Sequence, residues 1–220
     1  MLRSVLVEIR KGKSLNRTLL NLRCASVELR GEGIDLGSKD GSASQYRFLK
    51  TDGASIIYSD LHPKTPNIIQ LDLMRSFPLE SNSQDFVLLF HVLEHLPDPN
   101  LCLQEACRIL KPGGRLIGVV PFLHRVHPDP EDYFRYTKSA LVLLAKRAGF
   151  AEFQIDGIGV GPNVAALSIL FGFVKTRPLK AMAAAFAITA DRMLDLVTKK
   201  RWVDVYPTGY FFEMMKANGA

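Results

Sequence analysis

Cysteine is scarce in this chain, and Cys24, Cys102 and Cys107 include no CxxC pair. Their odd number and spacing argue against a disulfide framework, so reduced packing residues in a cytoplasmic protein are expected. No uninterrupted apolar run reaches the roughly 18 residues of a spanning helix. Arg3, Glu8, Arg10, Lys11 and Lys13 break the only early apolar run, which argues against a signal peptide. Internal repeats and low-complexity tracts are missing. So is a nicotinamide fingerprint: the string beginning at Gly31 puts Leu36 where GxGxxG needs its third glycine.

The chain of 220 residues is 47% hydrophobic and 23% charged, suiting one globular domain with an appendage. A net charge of +6 favours anionic partners, although an ordinary basic enzyme is the plainer reading. Short β-branched runs alternate with helical segments, which predicts a doubly wound, Rossmann-like, mostly parallel sheet with helices on both faces. Strands are expected at "GIDLG", "SIIYSD", "NIIQLDL", "DFVLLFHV" and "GRLIGVVPF". A helix capped by Asp98 and Pro99 should end at Gly113 and Gly114, and a second should run from Thr137 to Gly149.

In "GEGIDLGSKDGSASQYRFL", Asp35, Gly37, Lys39 and Gly41 alternate as D-x-G-x-K-x-G at the end of the first strand. Small residues there let backbone amides approach a ligand, and a following helix would point its free N–H groups at an anion. Asp60 closes the second strand about 20 residues later, where a carboxylate can accept from ribose hydroxyls. Asp72 follows the third strand, in "QLDL".

This series, together with "FHVLEHLPDPNLCLQEACRILKPGGRLIGVVPF", resembles the class I S-adenosylmethionine-dependent methyltransferases of the small-molecule, type 11-like branch. The resemblance runs from Gly33 to Val160. It implies a seven-stranded sheet, S-adenosyl-L-methionine as cofactor, and roles by position. Asp35, Gly37 and Gly41 would shape the loop around the methionine part, Asp60 would take the ribose hydroxyls, and Asp72 and Leu73 would meet the adenine. Phe90 and His91 would border the transferred methyl. Lys39 departs from the glycine usual in the family; pairing with the cofactor carboxylate is one account, a solvated loop lysine the other.

The segment "PFLHRVHPDPEDYFRYT" is dense in functional groups: His124, Arg125, His127, Asp132, Tyr133, Arg135 and Tyr136. It is similar to a loop signature of bacterial methyltransferases associated with polysaccharide biosynthesis, with an extra residue between His127 and Asp132. It is expected to face substrate, with His95 alongside. A hydroxyl nucleophile needs a base near its proton, and His127, then His91 and His95, suit transfer near neutrality; Asp132 is grouped with the catalytic set. His124, His127 and Asp132 show no familiar ligand spacing, so no metal site is expected.

These readings divide the chain into an N-terminal helical cap (1–30), the cofactor-binding core (31–161), a helical insertion (162–202) and a last strand (203–220). The insertion's apolar helices, flanked by Lys175, Arg177, Lys180 and Lys199 to Arg201, suit a lid, a dimer contact or a peripheral membrane contact, and homo-oligomers stay open. The expected activity is methyl transfer to a hydroxyl of a small molecule, sugar or lipid-linked glycan. A nucleic-acid methyltransferase is disfavoured, since "FHVLE" stands where a [DN]-P-P-[FYW] motif would be. A non-catalytic module binding a membrane or protein partner is the other alternative, opposed by Asp60 and Asp72.

Overall fold

A computed structural model describes residues 1–37 and 41–219. Its strands are β1 (Gly31–Asp35), β2 (Ala54–Asp60), β3 (Ile68–Gln70), β4 (Gln84–Phe90), β5 (Leu110–Pro121), β6 (Glu152–Ile158) and β7 (Gly209–Met215). They form a seven-stranded sheet in the order β3-β2-β1-β4-β5-β7-β6. All neighbours are parallel except β7, which runs antiparallel to both β5 and β6. The expected doubly wound architecture is present.

Burial on both faces explains why β4 reads as a continuous apolar run. Val87 and Leu89 point into one core, with Leu103, Ala106, Leu141 and Leu144 from α3 (Pro99–Ile109) and α4 (Lys138–Ala148). Phe86, Leu88 and Phe90 point into the other. That second core is covered by α1 (Leu2–Arg10), α2 (Leu15–Cys24), α5 (Pro162–Leu170) and α6 (Arg177–Thr198). Each such buried side chain contributes about 1.5–3 kcal/mol. Glycine sets the spacing between strands: a Cβ at Gly33 would lie 2.3 Å from the Phe86 ring. The same atom at Gly118 would lie 2.1 Å from Phe212.

The Thr137 side chain caps α4 by accepting from the Ala140 amide, and Gly149 closes it at φ 91°, as predicted. α3 ends earlier than Gly113 and Gly114 suggest. Leu110 is already extended (ψ 138°) and pairs with Gln84, so the glycines fall inside β5, next to a register shift between Gln84 and Phe86. The helix expected after the first loop is also absent among the described residues. Ser44–Phe48 makes a 3-10 turn there, too short and too poor in apolar spacing for an α-helix, and Tyr46 packs its ring on Phe90 and Tyr58.

In the insertion, Asp191 of α6 is fully buried and ties the two helices together. Its Oδ1 accepts from the Asn163 amide (2.9 Å) and its Oδ2 from the Val164 amide (2.8 Å), satisfying N–H groups that α5 cannot pair itself.

Candidate active site

The carboxyl ends of the parallel strands carry most of the residues expected at the site. Asp35 closes β1 fully buried; burial first, with the Asp35 charge adding to it, pushes the neighbouring Tyr58 phenol up. Gly37 follows at φ 79°, its amide donating to the Ser59 carbonyl at 3.1 Å. A Cβ at Gly37 would stand 3.1 Å from Val92, and one at Gly41 (φ 65°) would stand 2.4 Å from the Tyr58 ring. Both positions therefore want glycine for conformation and for space. Lys39 lies outside the described residues.

Asp60 is the last residue of β2, and its Oδ1 accepts from the His62 amide at 2.8 Å, fixing the carboxylate at the strand end. Asp72 is held similarly, accepting from the Met74 amide at 2.9 Å and pairing with Arg75 at 3.1 Å. Leu73 beside it is buried. The Phe90 ring is turned into the second core, 5.9 Å from Tyr46, so its side chain packs the sheet.

His91 ends the β4 edge in a left-handed conformation, φ 57°, which is uncommon and costly for a side chain of this size. Its Nδ1 lies 3.3 Å from Oε1 of Glu94, whose side chain is 0% exposed. Glu94 and His95 sit in the 3-10 turn Leu93–His95. The long loop after β5 is laced to that turn. Tyr133 donates its amide to the Glu94 carbonyl at 2.8 Å, Tyr136 donates its hydroxyl to the Leu93 carbonyl at 2.9 Å, and His95 Nδ1 meets the Glu131 carbonyl at 2.6 Å. Burial above all, with the Glu94 charge adding to it, pushes the Tyr136 phenol far up, so this hydroxyl stays a donor.

Within the loop, Arg135 grips both oxygens of Asp132 at 2.5 and 2.6 Å, and the His127 amide donates to Asp132 at 2.8 Å. These bonds, Arg135 foremost, hold the Asp132 carboxyl well below the usual carboxylate range. Through these bonds Asp132 ties Arg135 and the His127 amide together within the loop. The His127 ring packs edge-on against His124 and His95, with centroids 4.8 and 5.2 Å apart. Burial lowers the His124 pKa.

A cavity of about 100 Å³ opens beside this cluster, lined by His91 and His124, by Val119, Val120 and Pro121 of β5, by Ile158, Thr208 and Gly209, and by Ser14, Asn16, Arg17 and Leu20 at the start of α2. Arg17 was not among the expected residues. Its guanidinium bonds to Gln45 and burial lowers its pKa, which marks a partly desolvated cation facing the cavity. Nothing in "SLNRTLL" distinguishes it from a surface arginine, because its exposure depends on how α2 meets the sheet.

The family model described as "Methyltransferase domain" matches residues 34–118. Over that stretch the chain is similar to methyltransferase domains. It is 28% identical over 204 residues to an uncharacterised 37.1 kDa protein of a Streptomyces fradiae transposon, covering 83% of this chain and 57% of that protein. A ubiquinone biosynthesis O-methyltransferase of Nitrosomonas europaea is 26% identical over 160 residues, 59% of this chain and 67% of the relative. The chain thus spans little more than half to two thirds of these relatives. The same fold occurs in phosphoethanolamine N-methyltransferase 2 of Haemonchus contortus, solved with S-adenosyl-L-methionine, at TM-score 0.56 and 16% identity over 92% of this chain and 52% of that one. Methyltransferase domains of this class take S-adenosylmethionine, and the residues present fit it. The cradle at Gly37 would be filled by a Cβ, and carboxylates stand ready at the ends of β2 and β3 for hydroxyl and amino donors.

Proposed function

We propose that the protein transfers a methyl group from S-adenosylmethionine to a hydroxyl of a small-molecule acceptor held in the cavity beside His91. The observation that carries this reading is the placement of His91. It is strained at the carboxyl edge of β4, hydrogen-bonded to buried Glu94 and exposed to the cavity. Gly37, Asp60, Asp72 and Leu73 hold the cofactor on the other side of the β4 edge. When bound, S-adenosylmethionine supplies an electrophilic methyl on a sulfonium, so the protein's part is alignment, exclusion of water and removal of one proton.

Among the histidines, His91 is the base in this reading. With Nδ1 donating to Glu94, its Nε2 keeps the lone pair that accepts the acceptor's hydroxyl proton. His127 has one ring nitrogen against Arg125 and Asp132 and the other toward Glu94, and it does not line the cavity. His124 lines the acceptor side, while His95, Tyr133, Arg135 and Tyr136 hold the loop there. Arg17 adds a cation suited to an anionic group of the acceptor.

The exposed face of α6 supports a reading of the acceptor class. In α6, Leu179, Met182, Phe186, Met193 and Leu196 form an exposed apolar stripe, with Phe186 73% and Leu196 78% exposed, opposite the buried Ala181, Ala184, Ala187 and Ile188. Lys175, Arg177, Lys180, Lys199, Lys200 and Arg201 stand at its two ends. Such a helix suits shallow contact with anionic lipid, and hence a lipid-linked acceptor such as a glycan or a phenol. No helix among the described residues is long and apolar enough to cross a membrane. A radiolabelled-methyl transfer assay on lipid-linked sugar and phenol acceptors tests this reading; label entering only water-soluble acceptors would remove its lipid-linked part.

A further inference from the structure

We propose that Glu94, His95 and His127 bind one divalent transition-metal ion. One potential ligand atom of each lies within 4.8 Å of the others, and they come from two segments the sequence separates by over thirty residues. The hydrogen-bond partners of each neutral ring select its tautomer. His95 Nδ1 is 2.6 Å from the Glu131 carbonyl oxygen, which can only accept, so Nδ1 carries the proton. His127 Nδ1 is 3.2 Å from the Arg125 carbonyl and 3.3 Å from the Asp132 carboxylate, again both acceptors. Each ring therefore keeps its lone pair on Nε2. The two Nε2 atoms face Glu94 Oε1 at 3.9 and 3.7 Å.

Lone pairs of two imidazoles thus converge on a carboxylate that is 0% exposed, and whose second oxygen, Oε2, has no hydrogen-bond partner. Acceptors facing one another in a buried place repel unless a cation stands between them. A proton on one ring would not close gaps of 3.7 and 3.9 Å into hydrogen bonds. Bonds of about 2.0–2.2 Å to nitrogen and oxygen put tetrahedral ligand atoms roughly 3.3–3.5 Å apart; the two nitrogen-to-oxygen gaps here are a few tenths of an ångström wider, and all the ligand atoms lie within 4.8 Å of one another, so the rings close in slightly around a bound ion.

The surroundings are those of a ligand set held in place. Glu131 and Asp132 fix the two ring orientations, Arg135 fixes Asp132, and the amides of Tyr133 and Phe134 fix the Glu94 backbone. Two imidazoles and one carboxylate favour zinc, manganese, iron or cobalt over magnesium or calcium. The free cysteines do not compete: Cys24, Cys102 and Cys107 are buried elsewhere, and burial pushes the first two up to about 12. Three protein ligands leave a position open, as in catalytic centres. None of the three ligands lines the acceptor cavity, and binding of the ion does not rest on the methyl-transfer reading.

The test is calorimetric titration of the chelator-treated full chain with zinc chloride, repeated with cobalt chloride while the visible spectrum is recorded. The expected result is one ion per chain, tetrahedral-type cobalt bands, and affinity at least tenfold weaker in both Glu94→Gln and His127→Gln, with His62→Ala unchanged. Should Glu94→Gln fail to fold by circular dichroism, His127→Gln decides alone, since that side chain is 29% exposed. Binding well below one ion per chain, or equal affinity in wild type and His127→Gln, overturns the site. S-adenosylhomocysteine titrated into the same samples separates the two readings. Cofactor binding without the ion removes the metal site alone, and ion binding without cofactor removes the methyl-transfer reading alone.

Discussion

Arg135 holds Asp132 by two parallel bonds of 2.5 and 2.6 Å, and the Asp132 side chain is 1% exposed. Removing the cation alone leaves a buried charge without its partner. Arg135→Leu should therefore cost about 3 kcal/mol, the lower end for a buried pair because Arg135 itself is 24% exposed. The urea midpoint measures it, and Arg135→Lys should recover only part.

The same pair sets a pH dependence. The folded-state pKa of Asp132 lies below its unfolded value, so its contribution to stability is fully present above about pH 4 and is lost as the pH falls through the lower folded value. Wild type and Asp132→Asn, unfolded in urea at a series of pH values, should differ most near neutrality and converge in acid.

His91 predicts a split between stability and turnover. Glycine accepts φ 57° without strain but loses the ring that bonds buried Glu94, so the two effects offset and His91→Gly should change stability by no more than about 1–2 kcal/mol. Losing the base should lower kcat about 10²–10⁴-fold. Thermal unfolding and single-turnover assays on one preparation check both, and a large loss of stability would show that His91 is a packing residue.

Asp191 joins α5 to α6 through two backbone amides and the Asn163 side chain. Asp191→Ala leaves those donors buried and should cost about 2–3 kcal/mol in the unfolding free energy. Hydrogen exchange should show the loss first in the 162–198 segment.

Exposed Phe186 has no folding role visible on its surface, so Phe186→Glu should leave the unfolding midpoint unchanged. Binding to vesicles of anionic phospholipid, measured by co-sedimentation, should fall about tenfold or more and weaken with salt in both proteins. Unchanged sedimentation would direct attention to contact between copies of the chain.

What the sequence revealed of this molecule follows the range of the forces involved. β4 and α4 were legible because a continuous apolar run buried on both faces and a Thr137 cap with a Gly149 stop are local patterns. The end of α3 was not, since Leu110 leaves the helix to pair with Gln84 across the sheet, a choice no local propensity encodes. Asp35, Gly37 and Asp60 stand at strand ends because fold order alone puts them there. The roles of the histidines were less legible: His91, His95 and His127 were visible as candidates, but their division between cavity and Glu94 depends on how the loop from Phe122 folds back over Leu93–His95. Glu94 is one carboxylate among many in the sequence, and only its burial among ring nitrogens distinguishes it.

The central claim, a working S-adenosylmethionine site at the ends of β1 and β2, is tested most directly by calorimetric titration with S-adenosylhomocysteine of the wild type and Asp60→Ala. The account predicts micromolar binding by the wild type, about −8 kcal/mol, weakened at least tenfold in the variant. A well-folded wild-type protein that binds nothing at millimolar ligand would contradict it.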